Sequence, residues 1–216
     1  VLCIGWSRLI KKELLNIPVK GIVGYHPAAL PLNRGRHPLI WALALGLKET
    51  ASTFFFMDEG ADSGDILSQV KITIEANENA ESLYNKMIYT AKKQIIEFMP
   101  LIKTNKHIRV QQDHNKANEW RKRITADGFI DWRMSAKMID NLIRALSTPY
   151  PGASFNYKGK EYKVWKSEVV PTKILNSEPG KIIKATAGEI TVKCGEDAVK
   201  ISRIEPLLEL NEGDYL

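Results

Sequence analysis

Thiols are scarce in this chain: Cys3 and Cys194 are the two cysteines among 216 residues, far apart and each set in an apolar or strand-like stretch. That argues against a disulfide framework and against a cysteine-based metal centre, and it fits a reducing, cytoplasmic setting. No apolar run reaches the ~20 residues needed to span a membrane, and no signal-peptide pattern opens the chain. Glycine-rich phosphate loops are missing too. With neither GxGxxG nor GxxxxGK[ST] present, nothing supports a NAD or ATP role. Low-complexity tracts are also absent. What remains, 44% hydrophobic and 26% charged, is the composition of a globular protein. The balance of 31 Lys+Arg against 25 Asp+Glu leaves a net charge of +6. Such an excess suits an anionic ligand (a nucleotide, a polyglutamyl tail or RNA) and equally suits a solvated surface.

Short apolar runs alternating with helical patterns predict βα units and a mainly parallel sheet over the first half. VLCIGW, VKGIVGYH and STFFFMD read as strands, and HPLIWALALGLKE reads as a buried helix with Pro38 in its first turn. The chain opens directly on a strand-like run, so the sheet is expected to lack its N-terminal part. From Glu78 to about Lys103, Leu83, Met87, Ala91, Ile95, Phe98 and Ile102 recur at three- and four-residue spacings, the signature of a long amphipathic helix. Residues 104–127 are polar, basic and aperiodic and read as an extended linker between a first domain, 1–103, and a second, 128–216. The second predicts a helix with Met138, Ile139, Leu142, Ile143 and Leu146 on one face, then short strands punctuated by Gly, Asp and Pro, a small barrel-like module.

In a parallel α/β sheet, ligands gather at the carboxyl ends of strands, and His26 and the loop MDEGADSGD both follow strand-like runs. His26 has the titration range of a general acid or base, and Asp62 is placed to orient it. A satisfied structural histidine is the competing reading. Asp58, Glu59, Asp62 and Asp65 miss the calcium-loop spacing and have no neighbouring His or Cys, so no metal is expected.

The stretches HPAALPLNRGRHPLIWALALG and ETASTFFFMDEGADSGDIL, together with DGFIDWRMSAKMIDNLIRALSTPYPGASFNYKGKEYKVWKSEVV and PGKIIKA, resemble the N10-formyltetrahydrofolate-dependent formyltransferases. That family includes methionyl-tRNA formyltransferase and the nucleotide-amino-sugar N-formyltransferases. The resemblance implies a Rossmann-like catalytic domain followed by an OB-like β-barrel domain, with His26 as the catalytic imidazole and Asp62 as its carboxylate partner. It also implies that N10-formyltetrahydrofolate is the donor, contacted by Arg8, Leu9, Ile10, Ala28, Ala29, Leu30, Pro31, Arg36, Asp58, Glu59, Gly60, Ala61 and Asp62. The acceptor is a nucleotide-linked amino sugar on the RGRHPLIW and PYPGA segments, or methionyl-tRNA on the basic WRKR at 120–123; a homodimer is left open and no membrane is implied. One departure stands out. The family motif Asn-x-His carries an oxyanion donor two residues before the histidine, and here that position is Gly24. Losing such a donor costs on the order of 2.7–4 kcal/mol of transition-state stabilisation. Asn33 in the adjacent loop is one substitute, and a folate- or nucleotide-binding module with weak or no turnover is a further alternative.

Overall fold

A computed structural model describes residues 1–6, 8–174, 176–186 and 188–216. They form two compact units, Val1–Leu39 with Lys48–Ala76 and Ser82–Arg123, and Ile40–Leu47 with Asn77–Glu81 and Ile124–Leu216. The first half runs β1 (Leu2–Cys3), α1 (Lys12–Leu15), β2 (Val23–His26), β3 (Arg34–Gly35), α2 (Pro38–Ala44), β4 (Glu49–Phe56), β5 (Ile66–Thr73), α3 (Ala80–Lys103) and β6 (Glu119–Trp120). The sheet of the first unit has the order β1-β2-β4-β5. β1 and β2 run parallel, whereas β2–β4 and β4–β5 pair antiparallel, so the sheet is mixed. β5 left no clear sequence signal, because its apolar residues Ile66, Leu67, Val70 and Ile72 do not alternate cleanly and most of the strand is only partly covered.

Alternation along β2 decides what the site can contain. Val23 and Tyr25 point into a core with Phe54, Phe56 and the α3 residues Ala91, Ile95, Phe98, Met99 and Ile102. With a side-chain period of two, Gly24 and His26 must face the other side of the sheet. The apolar stripe read on the long helix is the one that seats α3, with Leu83, Met87 and Phe98 buried. Gln94 adds a polar pin: its Nε2 donates to the Ser52 carbonyl and to Ser68 Oγ, and its Oε1 accepts from Ser52 Oγ at 2.6 Å.

The stretch after α3 is mostly without regular structure, yet it is tied to the first unit. Val110 bridges Ile66, Gln112 is buried, and β6 pairs parallel with β3 through Arg34↔Glu119 and Gly35↔Trp120. A sequence without apolar periodicity gave no hint of this, because the contacts are made by backbone and amide groups.

In the second unit, α4 (Ala136–Ala145) is followed by β7 (Ala153–Tyr157), β8 (Lys160–Val170), β9 (Ile182–Thr186), β10 (Glu189–Lys193) and β11 (Ala198–Glu205). Their order is β7-β8-β11-β10-β9 and every pair is antiparallel. Ser135 caps α4 by accepting from the Met138 N–H. Ile139, Leu142, Ile143 and Leu146 are buried as expected, but Met138 is 51% exposed because it lies off the stripe those four define. Asp140, buried on α4, accepts from Ser167 Oγ at 2.8 Å and from Arg144 Nε at 3.2 Å.

Candidate active site

His26 ends β2 and is 4% exposed. Its Nε2 lies 2.7 Å from the Asn33 carbonyl oxygen, which can only accept, so this nitrogen carries the proton. Its Nδ1 lies 3.5 Å from Asp62 Oδ2. Both neighbours are acceptors: a ring protonated on both nitrogens satisfies both, and the Nε2–H tautomer leaves the carboxylate contact unmade. Asn33, considered from sequence as a replacement oxyanion donor, meets the imidazole through its main-chain carbonyl, and its own N–H donates to Asn118 Oδ1.

Asp62 is held from three sides. It adopts a left-handed backbone, φ 52°, its Oδ2 accepts from the Gly35 N–H at 2.9 Å, and its carbonyl accepts from Gln112 Nε2 at 2.9 Å. Gln112 Nε2 also donates to the Gly64 carbonyl at 2.7 Å, while its Oε1 accepts from Arg34 Nη2 at 2.7 Å. One buried amide thus links the aspartate loop, the loop after His26 and the segment after α3. Sequence reasoning missed Gln112, because a lone glutamine in a polar stretch carries no periodic or motif signal.

Gly24 shares its face with His26. A Cβ there would sit 3.0 Å from Met57 Cγ and 3.0 Å from the Phe55 ring, closer than ordinary van der Waals contact. In this packing, two apolar side chains occupy the space that an asparagine would need.

Met57 also belongs to a cleft of about 470 Å³ in the first unit. Leu15, Ile22, Phe56 and Met57 give it apolar walls, and Asn16, Asp58, Glu59 and Arg109 give it polar ones. Lys12 adds a further charged group, so the lining is an even mixture of apolar and polar side chains. Of the residues singled out from sequence, Asp58, Glu59 and Gly60 line this cleft, and Asp62 reaches His26. Arg8 and Leu9 are exposed, Ile10 is half-buried, and none of the three is among the lining residues. Ala28 and Leu30 are buried, and their carbonyls accept from Thr53 Oγ1 and Gln69 Nε2; Ala29 and Pro31 are half-buried, and Arg36 and Ala61 are exposed. Leu15, Ile22, Met57 and Arg109 were not foreseen, since they meet only once the chain is folded.

In the neighbouring loop, His37 Nδ1 accepts from the Arg123 N–H at 3.3 Å. Partial burial, then the charges of Arg123, Arg36 and Lys122, hold this imidazole below its ordinary pKa. Arg123, the last residue of the basic WRKR run, is buried. Among the described residues no helix is long and apolar enough to cross a membrane, and no group of three His, Cys, Asp or Glu side chains is arranged to hold a metal ion.

Fold and site together define a two-unit protein whose α/β half pairs a buried histidine with a half-buried aspartate and carries a cleft lined by Ile22, Met57 and the start of the aspartate loop. The model for formyl transferase matches residues 1–99, and that for the formyl transferase C-terminal domain matches residues 123–208. The chain belongs to the formyltransferase family. Methionyl-tRNA formyltransferase of Caldanaerobacter subterraneus subsp. tengcongensis is 37% identical over 202 residues, 93% of this chain; the chain spans 64% of that relative's length. Among solved structures, the sugar 3N-formyl transferase WlaRD matches with a TM-score of 0.74 at 20% identity, over 96% of this chain and 73% of its own. Methionyl-tRNA formyltransferase from Clostridium thermocellum matches with a TM-score of 0.64 at 22% identity, over 93% and 77% respectively.

Proposed function

We propose that this protein transfers the formyl group of N10-formyltetrahydrofolate to a primary amine. The observation that carries this reading is the pairing of buried His26 with half-buried Asp62, 3.5 Å apart, within the segment that the formyl transferase model matches. A folate donor fits the cleft. The apolar walls from Leu15, Ile22 and Met57 suit the faces of a flat heterocycle, and the Met57–Gly60 stretch offers backbone groups to its polar edge. WlaRD was solved in the presence of dTDP and 5-N-formyl-THF, a ligand of the same chemistry.

In the reaction the amine nitrogen bonds to the formyl carbon, the bond from that carbon to N10 breaks, and a proton lost by the amine replaces the formyl group on N10. The chain holds donor and acceptor in line and stabilises negative charge as it builds on the formyl oxygen. With Gly24 supplying no side-chain donor, that work falls on His26, which must exchange its Nε2 contact with Asn33 for the substrate oxygen. Asp62 keeps the other ring nitrogen oriented and balances a positive imidazole. His26→Ala and Asp62→Asn should each lower turnover roughly 10²–10⁴-fold, the usual worth of a positioned acid–base group. Wild-type rates in either purified, folded variant would overturn the assignment.

For the acceptor, the reading is a nucleotide-linked amino sugar, supported by the RGRHPLIW loop and PYPGA segment and by the burial of Arg123, which withdraws part of the WRKR run from any phosphate. A second reading, initiator methionyl-tRNA, is favoured by the 37% identical relative. Formyl transfer assayed against UDP- and dTDP-amino sugars beside methionyl-tRNA separates the two. Their salt response does so as well, because binding through many phosphates weakens steeply with ionic strength. Folate binding without transfer to any acceptor would instead identify a binding module.

A further inference from the structure

Resting on the formyl-donor reading, we propose that Arg109 is a specificity residue of the cleft, donating hydrogen bonds from its guanidinium to the carbonyl edge of the donor's pteridine ring. The polar groups of the cleft are otherwise largely committed. Asp58 Oδ1 accepts from the Gly60 N–H at 3.0 Å and from Ser63 Oγ at 2.6 Å, and Glu59 pairs with Lys12 at 3.2 Å. Arg109 differs. Its guanidinium carbon lies 3.5 Å from the centre of the Phe56 ring, and it has no hydrogen-bond or ion-pair partner among the described residues.

A guanidinium lying over an aromatic face is fixed in orientation by that contact, while its N–H donors, which lie in its own plane, stay free to bond. The group is therefore pre-organised. Gly21, in a left-handed backbone with φ 76°, lies against this pair: a Cβ there would sit in ordinary van der Waals contact, 3.4 Å from Phe56 Cδ1 and 3.9 Å from Arg109 Nη2. The apolar walls of Leu15, Ile22 and Met57 accept the ring faces of a flat heterocycle, which brings its polar edge toward the arginine. A ring carbonyl accepts two such bonds, and a planar fork makes them where the single ammonium of lysine does not.

The test is the affinity of the intact chain for 5-formyltetrahydrofolate and for 5-formyltetrahydropteroate, which lacks the glutamate tail, measured by calorimetry. Arg109→Ala and Arg109→Lys should each weaken both ligands to a similar degree, by roughly 10-fold or more, the size of one charge-assisted hydrogen bond. Arg109→Lys, which keeps a cation over the Phe56 ring, should leave thermal melting of the free protein close to that of the unsubstituted chain while still weakening both ligands, which a merely structural cover over Phe56 would not do. Unaltered affinity in both variants, or a loss confined to the glutamate-bearing ligand, overturns the proposal while leaving the formyl-donor reading intact. If the unsubstituted chain binds neither ligand, that reading falls and this inference with it.

Discussion

At Gly24 the family's asparagine is missing, and the structure supplies a steric reason: Met57 and the Phe55 ring fill the space beside it. Restoring the family residue should therefore not restore a better enzyme. Gly24→Asn is expected to destabilise the fold by about 1–3 kcal/mol through overpacking, read from urea denaturation. Gly24→Asn combined with Met57→Ala should recover part of that loss. Equal stability of wild type and the single variant would show that Phe55 and Met57 yield freely. A second residue-scale prediction concerns Cys194. It is fully buried, and burial pushes its thiol up to about 11. An exposed thiol titrates near 8.5, so above that pH the unfolded chain holds the proton less well than the folded one. The stability contributed by this group is complete below pH ~8.5 and is lost as the pH rises toward the folded value. At pH 8 the native protein should leave Cys194 unlabelled by iodoacetamide while the urea-unfolded chain is labelled, as mass spectrometry would reveal. Rapid native labelling would refute the burial argument.

At the scale of elements, the site depends on a segment that sequence reasoning treated as a connection. The aspartate loop follows β4, and Gln112 helps return it to His26 by donating to the carbonyls of Asp62 and Gly64. Gly64 is itself constrained, since any side chain there would run into the Phe56 carbonyl. Gln112→Ala leaves two carbonyls without their donor and should cost about 1–3 kcal/mol, the penalty for unsatisfied buried groups. Hydrogen exchange of residues 58–66 should quicken, and formyl transfer should fall without loss of β2 or α3. Unchanged exchange in that loop would mean that other contacts suffice. The strands and helices that were legible, β2, β4, α3 and α4, announce themselves through periodic apolar residues. β5, β6 and the Gln112 link are held by backbone and amide bonds, to which any polar sequence could contribute.

For the whole molecule, chain order and compact unit do not coincide. Ile40–Leu47 and Asn77–Glu81 belong to the second unit although they lie far ahead of Ile124 in sequence. Within that unit Arg144 hydrogen-bonds the Glu78 carbonyl, Ser147 Oγ accepts from the Ala80 N–H at 3.2 Å, and Asn141 abuts Gly46. A fragment of residues 124–216 strips all three partners from α4 and the turn after it. Its thermal transition should be lower and broader than that of the intact chain by circular dichroism; a transition matching the intact chain would show that these early segments are dispensable. The strands β2 and β4, the buried stripes of α3 and, Met138 apart, of α4, and the family motifs around His26 and Asp62 were determined by the sequence alone, because periodicity and local chemistry are written residue by residue. The mixed direction of the first sheet, the apolar plug beside Gly24, the cleft shared by α1, Ile22, Met57 and Arg109, and the bridging role of Gln112 were decided only by the tertiary structure. Each of these joins residues distant along the chain, and nothing local specifies which distant partner will arrive.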